Sequence, residues 1–348
     1  MNNFKILFLF LSFASYGFFF CSCEGTDSED LSVDPAIVLP VEEQNDDSVE
    51  IATIYNKDSQ YIAIFGDIQE YTRTKNAIHY FASSLDWIKE KQDSFNNVLC
   101  VLHVGDITNY NSKGEWERFQ QYAQPFSELI PFITVTGNHD YTRTGNTIES
   151  RSSTKVSDYA DSPSLESRIV ARFDETIENI IVQNTIWGER YDIIALEFGP
   201  REEVVEWTSN YVKNHPQTKY ILLTHEWLSE AGKRISANSF ARMFRNTSFS
   251  SPEQIWENLV YPNDNIVCTI CGHNDHSQLL YSRNQKGRAV PQILFNLQLF
   301  ESGGNGLLEL WEFPQNSDYA RVRIVSTQNN TLYREEGLLN YFRFKYRY

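Results

Sequence analysis

The chain has 348 residues, 41% of them apolar and 14% aromatic, with 46 acidic against 30 basic side chains and a net charge of −16. That length and apolar content suffice for one large core, and the acidic balance repels nucleic acid and anionic lipid. An anionic substrate would therefore need positive charge held locally by the chain.

Residues 1 to 22 read as a leader. Lys5 is their only charge, and Ile6 to Phe20 is an apolar stretch too short to span a bilayer and placed like a signal-peptide core. Small Ser22 before Cys23 resembles the cleavage site of bacterial lipoproteins, whose new amino-terminal Cys carries the lipid; Cys21, behind bulky Phe20, is the weaker alternative. Residues 24 to 50 hold ten Asp or Glu and no Lys or Arg, with Pro35 and Pro40, a composition that cannot bury enough apolar surface to fold alone. Their start, Glu24, Asp27, Glu29 and Asp30, resembles the signal that sends some lipoproteins to the outer leaflet of the outer membrane, with an ordinary acidic linker as the alternative. The expected division is a signal peptide over 1–22, an acidic tether over 23–50 and one catalytic domain over 51–348. The expected place is the outer membrane, periplasmic or surface-exposed, with a lipid as the only membrane contact.

From Tyr61 onward, short apolar runs rich in β-branched and aromatic residues alternate with helical patterns, the rhythm of a layered α/β fold. Strands are expected at Tyr61 to Phe65, Val98 to Val104 and Phe132 to Thr136, with helices over Ile78 to Lys91 and Gly114 to Leu129 between them. Residues 141 to 165 are rich in Ser, Thr, Asp and Gly and read as a long loop, followed by a helix over Ser164 to Val182. Then come a strand at Arg190 to Phe198, an amphipathic helix over Glu202 to Lys213 and strands at Tyr220 to Leu223 and Ile266 to Cys271. Glu226 to Ser251 is a second irregular insertion, with Lys233, Arg234, Arg242 and Arg245. Strands at Gln292 to Gln298, Leu307 to Phe313 and Tyr319 to Ser326 close the domain, with Gly303 to Gly306 as a turn. The aromatic ending from Tyr341 to Tyr348 reads as packing on the domain or fraying.

Five polar clusters follow these apolar runs: Asp67-Ile-Gln69, Gly105-Asp106-Ile-Thr-Asn109, Gly137-Asn138-His139-Asp140, Thr224-His225 and Gly272-His273-Asn-Asp-His276. Carboxylate, amide and imidazole groups delivered together at strand ends suit a centre of two divalent cations. In order and spacing the clusters resemble the calcineurin-like metallophosphoesterase family, from about Tyr61 to Ser326. The resemblance implies a four-layer α-β-β-α sandwich with metals at the carboxyl ends of the strands. It implies Asp67 on the first metal, Asp106 bridging both, Asn138, His225 and His273 on the second, and His276 returning to the first. It further implies a metal-bridging hydroxide as nucleophile, with His139 protonating the leaving oxygen and Asp140 orienting its imidazole. The implied reaction is hydrolysis of a small phosphomonoester or phosphodiester by a monomer. A catalytically weak surface binding protein on the same fold is the alternative.

Two positions depart from the family pattern. Gln69 stands where Asp-x-His is usual, and an amide oxygen is a harder, weaker ligand than imidazole, which shifts the expectation among manganese, iron, zinc and magnesium away from zinc. Asn109 stands where many relatives are acidic, a change expected to reach only contacts behind the ligands. Tyr110 falls one position late for a tyrosinate-bound ferric centre. Arg143, Tyr141 and Asn305 are weaker candidates for lining a substrate pocket. His103 reads as a hydrogen-bonded core histidine, His79 and His215 as surface residues, and Cys100, Cys268 and Cys271 as buried structural thiols, the last two on one strand where they face opposite sides.

Overall fold

The computed structural model describes residues 54–236, 243–244 and 247–348. The leader, Cys23, the acidic tether, Arg242 and Arg245 lie outside them. No helix among the described residues is long and apolar enough to cross a membrane.

The first sheet is built around three parallel strands, β1 (Ser59–Phe65), β2 (Val98–His103) and β3 (Phe132–Thr134). Its other half is antiparallel: β14 (Leu307–Pro314) pairs with β1, and β15 (Tyr319–Ser326) pairs with β14 and with β16 (Thr331–Leu332) and β17 (Tyr341–Lys345). The second sheet has the order β12–β13–β11–β10–β9–β7–β6. Its parallel centre is β9 (Glu189–Ala195), β10 (Lys219–Leu223), β11 (Ile266–Cys271) and β13 (Ala289–Asn296). The antiparallel flanks are β12 (His276–Arg283) on one side and β7 (Ile180–Val182) with β6 (Ile169–Arg172) on the other.

Alternation along the strands makes the layers. On β9, Tyr191, Ile193 and Ala195 join one core with Ile62, Ile64 and Trp311 of the first sheet, while Ile194 and Leu196 join a second core under the helix Glu202–Asn214. The outer face of the first sheet is covered by the helices Ile78–Phe95 and Lys113–Ser127, through Phe81, Leu85, Trp116 and Phe119. The result is helix, sheet, sheet, helix, the expected sandwich.

One expectation over regular structure needs correction, and one strand was not anticipated. Residues 164 to 182 are not one helix: a short helix at Pro163–Glu166 ends early, and β6 and β7 form an antiparallel extension of the second sheet. Ile169, Val170, Ile180, Ile181 and Val182 are β-branched, and pairing of β7 with β9 buries Ile180 to Val182 completely, which outweighs any helical periodicity. Strand β12, directly after the last polar cluster, carries no periodicity that marks it. The aromatic ending packs as β17, burying Phe342, Phe344 and Tyr346. Cys100, Cys268 and Cys271 are buried and free, and His79 and His215 are exposed.

Candidate metal centre

The parallel strands of both sheets end at one place, and the loops leaving them bring polar side chains together. After β2 the chain turns through Gly105 and Asp106, the latter in the left-handed region at φ 54 although it is not glycine. After β3 comes the turn Asn138–Asp140, and here the glycine is required: a Cβ on Gly137 would lie 2.1 Å from Asp106 Oδ1. Both constraints bring the Asp106 loop and the Asn138 turn into contact. The His139 backbone N–H donates to Asp106 Oδ1 at 2.8 Å.

His225, fully buried after β10, sits at the middle of the cluster. Its Nδ1 lies 2.8 Å from the Val104 carbonyl, which only accepts, so Nδ1 carries the proton and Nε2 is turned inward. Around Nε2 stand Asn138 Oδ1 at 3.1 Å, His273 Nδ1 at 3.1 Å and Asp106 Oδ2 at 3.4 Å. Ligands held ~2.1 Å from one cation at right angles are about 3.0 Å apart, so each of the three stands from Nε2 at about the spacing of neighbouring ligands on one ion. His273, at φ 66, turns its other nitrogen toward buried Glu226, with Nε2 3.7 Å from Oε1, the carboxylate–histidine arrangement that supports metal ligands. The Phe198 ring covers both imidazoles.

The Asp67 side of the cluster is organised differently. Asp67 is buried; its Oδ2 accepts from Asn296 Nδ2 at 2.7 Å and Gln298 Nε2 at 3.0 Å, and its Oδ1 accepts from the His273 backbone at 3.2 Å. Gln69, the first residue of the helix Gln69–Arg73, donates through Nε2 to Gln298 Oε1 at 2.5 Å. Its own Oε1 is buried without a hydrogen-bond partner. A buried amide acceptor left unmet is rare and costly, and a cation is a natural partner for it.

Four carboxyl groups, Asp67, Asp106, Asp140 and Glu226, are buried here, and among the described residues no Lys or Arg forms an ion pair with any of them. Burial pushes Asp67 well above the ordinary carboxylate value, against the attraction of His225. Burial also acts to raise Asp106, but His225, by charge and by hydrogen bond, outweighs it and holds Asp106 below the ordinary range. In turn, Asp106 and then Asp67 lift His225 to about 10 against the burial that would lower it. The cluster draws in positive charge, and its oxygen and nitrogen donors fit divalent cations.

The remaining expected residues fall into place unevenly. His139 is half-buried, with Nδ1 2.9 Å from the Asn109 carbonyl and 2.8 Å from Arg143 Nη2. Arg143 thus touches His139 directly. Asp140 does not orient that imidazole: its oxygens accept from the backbone N–H groups of Ile107, Thr108 and Gly137 and from the Thr108 hydroxyl, so it locks the two loops together instead. Tyr141 does not line a pocket; it is 1% exposed, packs with Ile148, Phe198 and Phe244, and shares a hydrogen bond with Thr136. Asn305 ends a turn at φ 47 and makes no side-chain hydrogen bond to the cluster among the described residues. His276 faces Asn296 across the β12–β13 ladder, but its Nδ1 is engaged with Ser277, at 2.9 Å from N and 3.0 Å from O, and the close group of Asp106, His225 and His273 excludes it. His103 is a buried core histidine bonded to Thr134, lowered to about 3 by burial and then by His225.

Three contributors were not anticipated: Asn296, Gln298 and Glu226. Asn296 and Gln298 do carry the same signal as the five clusters, polar amides directly after the apolar run Ile293 to Phe295. Glu226 has no signal beyond its place next to His225.

The family model for calcineurin-like phosphoesterases matches residues 61–277. The uncharacterized protein YvnB of Bacillus subtilis (strain 168) is 26% identical over 286 residues, which cover 78% of this chain, and the match spans only 20% of that relative's length. Among solved structures, the calcineurin-like phosphoesterase YfkN of Bacillus subtilis aligns over 80% of this chain and 93% of its own, at 12% identity and a TM-score of 0.40. The sulfate thiohydrolase SoxB of Thermus thermophilus aligns over 80% of this chain and 58% of its own, at 10% identity and a TM-score of 0.42. With the family match covering most of the chain, and the donor set its members need gathered at the strand ends, this chain belongs to the calcineurin-like phosphoesterase family.

Proposed function

We propose that this metal-dependent phosphoesterase is a secreted, lipid-anchored monomer that uses two divalent cations to hydrolyse a phosphomonoester or phosphodiester outside the cytoplasm. The observation that carries the reading is the convergence of Asn138, His273 and Asp106 on His225 Nε2 beside an independently held His139. Asp67, Gln69 and Asp106 would hold one cation, and Asp106, Asn138, His225 and His273 the other. Bound there, such ions neutralise phosphoryl oxygens and lower the pKa of the attacking water.

The chain's own residues supply the rest. His139 Nδ1 can donate to the Asn109 carbonyl or accept from Arg143, but not both. As a general acid it donates to Asn109, and Nε2 delivers the proton to the leaving oxygen. Arg143 then places its positive charge beside a leaving group that carries phosphate. A cleft of about 620 Å³ lined by Glu70, Arg73, His79, Tyr80, Gln298 and Leu299 adjoins the Asp67 side through Gln298.

The deciding experiment is metal analysis of the purified chain together with turnover of p-nitrophenyl phosphate and bis-p-nitrophenyl phosphate under manganese, iron(II), zinc and magnesium. Turnover lost in His139→Ala while metal content stays unchanged supports the reading. One observation favours a second reading, a surface binding protein with little activity: Asp67 Oδ2 is already engaged by two amides. No turnover with any metal and an unaffected His139→Ala variant would select it. The anchor is tested separately, since Cys23→Ser should release the chain from the membrane fraction, and protease treatment of intact cells reads the exposed face.

A further inference from the structure

We propose that Gln298 is a positioning residue that fixes the Gln69 carboxamide so that its oxygen is the group offered to a cation; this deepens, and rests on, the two-cation reading. The argument is a count of donors and acceptors. Asp67 Oδ2 accepts from Asn296 Nδ2 at 2.7 Å and from Gln298 Nε2 at 3.0 Å, so the NH₂ of Gln298 is the group turned toward this carboxyl. Its oxygen then faces Gln69 and accepts from Nε2 at 2.5 Å. That contact in turn settles Gln69: reversing its amide would set two oxygens against each other. Reversing both amides would set the Gln298 oxygen against the Asp67 carboxylate. One orientation avoids every oxygen–oxygen conflict, and it leaves Gln69 Oε1 buried and without a partner.

The segment that carries Gln298 holds Gln69 from a second direction. Ser302 to Gly306 run through five consecutive left-handed residues, with φ of 56, 76, 90, 47 and 72. Such a run is costly for side chains other than glycine and persists where its surroundings demand it. Here it presses the backbone against Tyr71, two residues beyond Gln69: a Cβ on Gly303 would lie 2.9 Å from the Tyr71 ring, and the Gly306 N–H donates to the Tyr71 hydroxyl at 3.0 Å. Residues 296 to 306 therefore set both the amide of Gln69 and the helix that begins with it. A neutral carboxamide oxygen is a hard ligand, so the position it serves favours magnesium or manganese, while the neighbouring position, with two imidazoles, accepts softer ions.

The test is manganese titration of the purified full chain, read by calorimetry and by metal content, for Gln298→Met in the native and in the Gln69→Glu backgrounds. Gln298→Met keeps the volume and removes both hydrogen bonds; Gln298→Ala is the second variant if the first does not fold, as judged by circular dichroism. We expect two manganese ions on the native chain. Gln298→Met should weaken one of them at least tenfold and leave the other within twofold. In the Gln69→Glu background the same change should cost less than threefold, because a carboxylate presents an oxygen whichever way it turns. Equal losses in both backgrounds, or no loss in either, would overturn the positioning role while leaving the phosphoesterase reading standing. A native chain that binds fewer than two ions would overturn the two-cation reading and this role with it.

Discussion

Around His225, ligand atoms from three other loops close on one nitrogen at 3.1 to 3.4 Å, whereas around Asp67 the nearest groups are the side-chain N–H donors of Asn296 and Gln298. The two halves of the centre differ in what holds them in shape. The His225 half is braced from behind, with Nδ1 on the Val104 carbonyl and the Glu226 carboxylate beyond His273, so its ligand atoms are aimed inward. The Asp67 half is braced by amides that compete for the same carboxylate a cation would use. An ion on that side must work through the remaining capacity of Asp67, through Asp106 and through the Gln69 oxygen. On the proposed two-cation reading a tight position beside a loose one follows, to be filled in that order as metal is added.

The strongest way to break this comparison is to remove what the halves share. Asp106→Asn should strip both ions and lower turnover by roughly 10³-fold or more, measured by metal content and bis-p-nitrophenyl phosphate hydrolysis, since on the proposed reading this carboxylate would serve both positions. Retention of either ion at native affinity would show that the halves are independent. Next in size is His139→Ala, which removes the proton donor but no ligand; turnover should fall about 10² to 10⁴-fold with both ions kept. The loss should shrink for an aryl leaving group, which needs no protonation, and an equal loss on alkyl and aryl esters would count against the acid role.

The halves also differ in how readable they were. Asp106, Asn138, His225 and His273 stand in compact clusters after apolar strands, because parallel strands deliver their next residues to one edge and each of these lies within four residues of its strand end. The two-sheet sandwich was legible for the same reason, with strand after strand marked by β-branched runs. What stayed hidden depends on pairing across the fold. The β-branched residues of β6 and β7 do not by themselves decide against a helix; pairing of β7 with β9, and of β6 with β7, does. Asn296 and Gln298 belong to a strand end with no charged or imidazole group to draw notice, and their role exists only because β13 lies beside the Asp67 loop. Asp140 reads as a partner for the adjacent His139, yet four donors from the Asp106 loop and Gly137 claim its oxygens first.

A narrower variant sharpens the asymmetry. Asp67→Asn keeps the shape of the side chain and one acceptor, but it opposes amide to amide against Asn296 and Gln298. It should lose the weaker ion alone, with the tighter ion within about threefold of native affinity, and turnover should fall by on the order of 10²-fold. Metal titration checks the first outcome and steady-state kinetics the second. Loss of both ions together would mean that the centre binds them as a single unit.

The smallest effect asks what a buried carboxylate costs where no cation or amide brace is at hand. Glu309 lies fully buried on β14 between Ile64 and Ile324, with Oε1 accepting from the Trp311 indole at 2.5 Å and Oε2 unmatched. Burial lifts its pKa to about 8, against the Trp311 hydrogen bond that would lower it, while in the unfolded chain it titrates near 4.5. Between those values the folded state holds a proton that the unfolded state has lost, so Glu309 is fully tolerated below pH 4.5 and subtracts stability as pH rises toward 8. Glu309→Gln removes the titration while keeping the shape. Melting followed from acidic to mildly alkaline pH should show native stability falling across that window by up to about 5 kcal/mol more than the variant's does. Parallel curves would mean that Glu309 stays ionised inside the sandwich, and that a buried carboxylate here needs no partner of the kind that Asp67 has.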